Sequence, residues 1–259
     1  METTQSARRT DFQKTAATHG FTLLCLLGWS LLSWVSPSYQ MPSPLAVLRG
    51  IGAFLSNLNL VEQLGFSLYH VGMAIFLSFL IGSILALIPY YFPVFRFAIH
   101  QRFGAFLGSF SGVGWALLAG MWFGINSISV IFAISAVLIP FALINLSSGL
   151  NNLDFELMEM GQSFSRNKIR KLRKIVLPLL YPYVFATIRL MFGVAWKVTL
   201  AAELFGGNSG LGYVINLARQ DYDTTTIFVI LFLIIFFVYC TERFFFKPIQ
   251  TRFDEYAKI

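Results

Sequence analysis

Apolar runs alternate with short polar segments along almost the whole chain. The runs His19–Ser36, Phe66–Ile88, Phe103–Phe123, Ile128–Leu150, Pro178–Ala202 and Thr226–Phe246 each approach the roughly 20 residues that a helix needs to cross a bilayer. The pattern predicts an all-α membrane protein with six transmembrane helices. The first run follows Arg8, Arg9 and Lys14, as a signal peptide would, but it is long for that role and no A-x-A cleavage site follows it. It reads as the first span. Pro37 to Gln63 reads as a loop whose apolar piece, Val47–Leu55, fits a helix lying at the membrane surface. Pro89 is expected to stop the second span and Pro140 to interrupt the fourth. Gly124–Ser127 reads as a tight turn. Tyr90–Arg102 is a short segment carrying Arg96, His100 and Arg102.

One stretch breaks the alternation. Asn151 to Leu180 lies between apolar runs, yet is too polar to cross. Asp154, Glu156 and Glu159 come first; Arg166, Lys168, Arg170, Lys171, Arg173 and Lys174 follow. Acid before base suits a helix dipole. Leu153, Leu157, Met160, Phe164, Ile169 and Leu172 recur at roughly helical spacing. The expectation is a short amphipathic helix over about residues 153–168.

Lysine and arginine set the orientation. With the N-terminus inside, the outer loops hold only Arg49 and Arg219, and the other bases flanking the spans face the cytoplasm. Residues 1–18 and 247–259 then form cytoplasmic tails around a membrane domain at 19–246. Composition agrees: 56% of residues are hydrophobic and 12% charged, against about 25% charged in soluble domains. The net charge of +7 does not point to nucleic acid, because the bases lie between apolar runs. Cys25 and Cys240 fall in spans at opposite ends, which predicts two thiols rather than a disulfide framework. His19, His70 and His100 are scattered and suggest no metal site.

Ionisable residues within the spans are candidate functional groups. Counting from Pro178 places Arg189 about 16 Å into the fifth span, and Lys197 about 28 Å in. Arg189, Phe192, Gly193 and Trp196 share a helical face, and Arg189 and Lys197 are about 80° apart around the axis. A translocation path using Arg189, Trp196, Lys197 and Glu203 is one reading. The other has Arg189 fixing helix packing and Lys197 snorkelling to the interface. Five glycines between Gly104 and Gly120 allow close helix approach. Glu203–Thr225 is a polar loop, and its Gly206–Gly212 run reads as a re-entrant or gating loop, since no strand precedes it. No nucleotide-binding loop occurs, so the chain is expected to be no enzyme.

The polar stretch resembles the EAA loop of type I ABC importer permeases: Glu-Ala-Ala, three residues, Gly, nine residues, Ile-x-Leu-Pro. Glu159, Met160 and Gly161 take the first places, Ser165 the glycine place, and Ile175, Leu177 and Pro178 the last. Ala-Ala is thus Met-Gly here, and Gly is Ser. Ala195-Trp196, Ala202 to Gly206, Ser209 to Tyr213, Ala218-Arg219, Tyr222 to Thr224 and Pro42-Ser43-Pro44 resemble the nitrate, sulfonate, taurine and bicarbonate branch. Members of that branch carry prolines where this chain has Gly108 to Trp115, which leaves the local helix geometry open.

The resemblance implies a permease subunit in a bacterial cytoplasmic membrane. It would pair with a second permease copy, two cytoplasmic ATPases that hold ATP and Mg, and an external solute-binding protein. The seven residues matched to the EAA loop would couple the ATPase to the spans. The implied solute is a small anion such as nitrate, a sulfonate, taurine or bicarbonate. A secondary transporter is the rival reading, but no internal repeat supports it. A membrane-embedded enzyme would want clustered polar residues in the spans, and these are sparse.

Overall fold

The computed structural model describes residues 20–37, 39–153, 174 and 176–256, with side chains to 251. These residues are mostly helical, with no strand among them. The helices are α1 (Gly20–Val35), α2 (Pro44–Ser56), α3 (Leu58–Tyr91), α4 (Gly104–Ser109), α5 (Gly112–Phe123), α6 (Ser127–Asn151), α7 (Leu177–Gly206), α8 (Leu211–Gln220), α9 (Thr224–Thr241) and α10 (Lys247–Tyr256). Among the described residues, four stretches are long and apolar enough to cross a membrane: α3, α6, α7 and the continuous helix Thr224–Thr251. A fifth candidate is the bent pair Pro93–Ser109 and Gly112–Phe123. α1 is apolar but shorter. The expected amphipathic helix at about 153–168 lies almost wholly outside the described residues.

Contacts divide the chain into two units, Met1–Leu58 with Leu217–Leu233, and Asn59–Asn216 with Ile234–Ile259. In the first, Ser43 caps α2 by accepting the Ala46 N–H, and Pro44 opens the helix. Trp29 of α1 stacks on Phe232 at 5.4 Å and donates its indole N–H to the Pro42 carbonyl at 3.1 Å. Asp223 caps α9 by accepting the Thr226 N–H. Phe21, Leu24, Leu27 and Trp34 are exposed, which suits hydrocarbon.

The second unit is built on α6, which packs on α7, α5 and α4. Val130, Ala133, Ile134, Leu138, Ala142 and Leu143 of α6 are completely buried. Lipid offers no hydrophobic drive between helices, so close packing and hydrogen bonds must hold them. Both occur against α3: Ser78 Oγ donates to the Ser135 carbonyl at 3.2 Å, and a Cβ on Gly82 would lie 2.5 Å from that of Ala142.

Several boundaries differ from the sequence expectation. α3 starts before Phe66 and runs through Pro89 to Tyr91. That proline sits in the final turns, where one lost backbone bond costs little length. Pro140 lies inside an unbroken α6, supported by helices on several sides. The short segment Tyr90–Arg102 is largely helical. The run expected as a third span is not one straight helix: two helices meet at 84° about Phe110 and Ser111. Ser111 caps the second piece by accepting the Gly114 N–H, and the proline-poor stretch is where the geometry departs. Gly124, at φ 79°, makes the expected turn before α6, whose cap is Asn126. The polar loop after residue 202 is mostly helix: α7 continues to Gly206, and α8 starts at Leu211.

Candidate functional site

α7 carries the ionisable residues and sends them to two different environments. Its open side forms one wall of a groove of about 770 Å³. Arg189 and Lys197 both line it, as does Gly193 between them. Eight residues is a little over two helical turns, so the two cations lie along one broad face. The rest of the wall is largely apolar, with Phe185, Leu190 and Val238.

Arg189 is not a free charge. Its Nη2 pairs with Glu242 Oε1 and its Nη1 donates to Gln250 Oε1. The pair is half-buried, with Arg189 34% and Glu242 40% exposed. Lys197 is exposed and has no carboxylate partner among the described residues. Trp196 stands behind the wall, buried and edge-on to Phe237 at 5.3 Å, with no partner for its indole N–H among the described residues.

Glu203, nearly four turns beyond Arg189, is fully buried and does not line the groove. Burying a carboxylate is costly unless donors surround it. Ser67 Oγ donates to Oε2 at 2.9 Å, the Gly212 N–H to Oε2 at 2.8 Å, and His70 Nδ1 meets Oε1 at 2.9 Å. A carboxylate only accepts, so that Nδ1 carries the hydrogen. His70 Nε2 has no hydrogen-bond partner among the described residues. Around this centre the Leu211 N–H donates to Ser67 Oγ at 2.8 Å, and the Gly210 N–H to Gln63 Oε1 at 2.7 Å. Side chains from α3 and α7 thus satisfy the first donors of α8, which no residue of α8 itself can reach. Gly210, at φ 100°, leaves no room for a side chain: a Cβ would run into the Glu203 carboxylate.

Of the residues expected to couple to an ATPase, Glu159, Met160, Gly161, Ser165 and Ile175 lie outside the described residues. Leu177 and Pro178 are exposed at the start of α7. The sequence reading missed Ser67, His70, Gln63, Glu242 and Gln250. The available signal was a lone acid or histidine inside an apolar run, since each such group needs a partner in another run.

The family model for the binding-protein-dependent transport system inner membrane component matches residues 25–247. The chain belongs to this family. The match covers every helix described above in whole or part except the end of α10, and it leaves no support for the secondary-transporter reading. Among relatives of this inner membrane component is a permease named for aliphatic sulfonate transport in Bacillus subtilis (strain 168). It is 32% identical over 117 residues, 44% of this chain and 42% of the relative. A bicarbonate transport system permease of Synechococcus elongatus is 27% identical over 130 residues, 49% of this chain and 47% of the relative. A riboflavin transport system permease of Chloroflexus aurantiacus is 32% identical over 111 residues, 43% of this chain and 41% of the relative. The alignments thus span under half the length of these relatives.

Proposed function

We propose that this chain is the permease subunit of an ATP-binding-cassette importer and forms the path for a small anion delivered by a solute-binding protein. The observation that carries the reading is the family match across residues 25–247 of a chain with long apolar helices. Counting α1 and the bent pair with the four long helices makes six spans. The distribution of basic residues favours both termini in the cytoplasm of a bacterial inner membrane. Two copies of this chain would enclose the path, with a pair of ABC ATPases below them hydrolysing ATP with Mg.

Within the path we place Arg189 and Lys197. Relatives named for sulfonates and bicarbonate favour an anion, whereas the riboflavin relative does not, so the charge of the groove is the stronger support. Lys197 offers a cation with no carboxylate partner among the described residues, and a fixed positive charge lowers the barrier for an anion. Trp196 backs the wall, and Glu203 fixes the start of α8. Coupling to the ATPases is assigned to Glu159, Met160, Gly161, Ser165, Ile175, Leu177 and Pro178.

Reconstitution tests this directly. The chain, co-expressed with its ATPase and incorporated into proteoliposomes, should support ATP-driven uptake from the binding protein. Glu159→Lys should abolish uptake and release or uncouple the ATPase while the chain still inserts. Normal assembly and uptake in that variant would sink the coupling assignment.

A further inference from the structure

Glu242 is a carboxylate that the sequence reading passed over, and it occupies the Arg189 cation on the groove wall. We propose that Glu242 is an internal occupant of an oxyanion site centred on Arg189, exchanging with the carboxylate, sulfonate or similar group of the solute. The proposal rests on the groove being the translocation path. A guanidinium presents a planar fork suited to oxyanions, and here its two terminal nitrogens are filled by two separate acceptors on the last helix, Glu242 and Gln250. That is how a fork looks when protein oxygens stand where a ligand's two oxygens would fit.

Three observations favour exchange over a fixed brace. The pair is half-exposed and opens on a groove of about 770 Å³, and pairs so exposed add little net stability. Replacing one carboxylate with another oxyanion swaps like for like, so the cost of leaving is small. Lys197 stands on the same wall with no carboxylate partner among the described residues, where it can hold an arriving anion before Arg189 is free. Finally, the helix widens at Glu242: the Lys247 N–H bonds back to the Glu242 carbonyl, one residue further than in an α-helix. Such widened turns are frequent at functional sites. An internal competitor also solves a transport problem, since returning Glu242 to Arg189 ejects an anion that would otherwise stay bound.

The experiment uses the whole permease–ATPase complex in proteoliposomes, with Cys25→Ser, Cys240→Ser and Gly193→Cys. Gly193 lines the groove between the two cations, and a Cβ there meets open space. Modification rates are measured with an anionic methanethiosulfonate bearing a sulfonate and a cationic one bearing trimethylammonium. Glu242→Gln should raise the anion-to-cation rate ratio by roughly tenfold. It should also lower several-fold the concentration of methanesulfonate that protects the cysteine, and Arg189→Gln should remove protection. Glu242→Asp, which keeps the charge but shortens its reach, should move the ratio the same way by less, and serves if the glutamine variant does not assemble. An unmoved ratio and unmoved protection overturn the proposal. If they are unmoved while modification of Gly193→Cys blocks uptake, exchange fails and the path reading stands. If both shift while the modified complex transports normally, the oxyanion site stands and the path reading fails.

Discussion

Glu203 and Glu242 are two carboxylates in one structural unit, the first on α7 and the second paired with an arginine of α7, and they behave as opposites. Glu203 has no exposure and is enclosed by donors from Ser67, His70 and Gly212. Glu242 shares a half-exposed ion pair at the edge of an open groove. The first cannot leave without stranding three buried donors. The second can be replaced at its cation by any oxyanion of similar shape. Charge inside a membrane protein is therefore not one category: the same residue type makes a permanent fastening or an exchangeable contact, according to burial and the number of donors.

The contrast can be tested by weakening each side in turn. Glu203→Ala should have the largest effect, destabilising the detergent-solubilised protein by about 3–5 kcal/mol, because buried partners are left unpaired. Resistance to denaturation by SDS measures this, and a loss under about 1 kcal/mol would place Glu203 among the exchangeable contacts. Gly210→Ala should cost about 1–3 kcal/mol in the same assay, since it forces a left-handed backbone and pushes a methyl into the carboxylate. On the groove side, Arg189→Gln should alter stability by at most about 1 kcal/mol. Uptake of an anionic solute should nevertheless fall roughly tenfold in Arg189→Gln and in Lys197→Gln, about one screened charge interaction each. If Arg189→Gln instead prevents assembly, its pair with Glu242 is a brace after all. The smallest effect is expected at Trp196→Phe, within about 1 kcal/mol, because the indole N–H it removes has no partner among the described residues. A larger loss there would reveal a partner for that N–H.

The long helices were legible in the sequence because each is an uninterrupted apolar run of spanning length. α6 and α7 begin within one residue of the expected positions, and Gly124 with Asn126 marks the turn between α5 and α6. The place of the 84° bend was flagged, since Gly108 to Trp115 lacks the branch's prolines, but its angle was not, because glycine and serine fix no particular geometry. α8 was hidden because glycines at its entry dominate the local reading, while its supports come from elsewhere. Glu203 and His70 are 133 residues apart, and no local pattern joins them. Arg189 and Lys197 were found from depth and helical periodicity. Glu242 was not, because it sits at the polar end of the last apolar run, where an acid looks solvated.

The bend at Phe110 and Ser111 has a consequence for how the chain enters the membrane. A broken helix frees carbonyls and N–H groups that lipid cannot satisfy. Here the Leu107 carbonyl accepts the Trp115 indole N–H at 3.2 Å, and Ser111 Oγ accepts the Gly114 N–H at 3.2 Å. Both remedies lie within a few residues of the break, in the same segment. The kinked piece therefore brings some of its own polar partners, all of them encoded ahead of α6 and α7 in the chain.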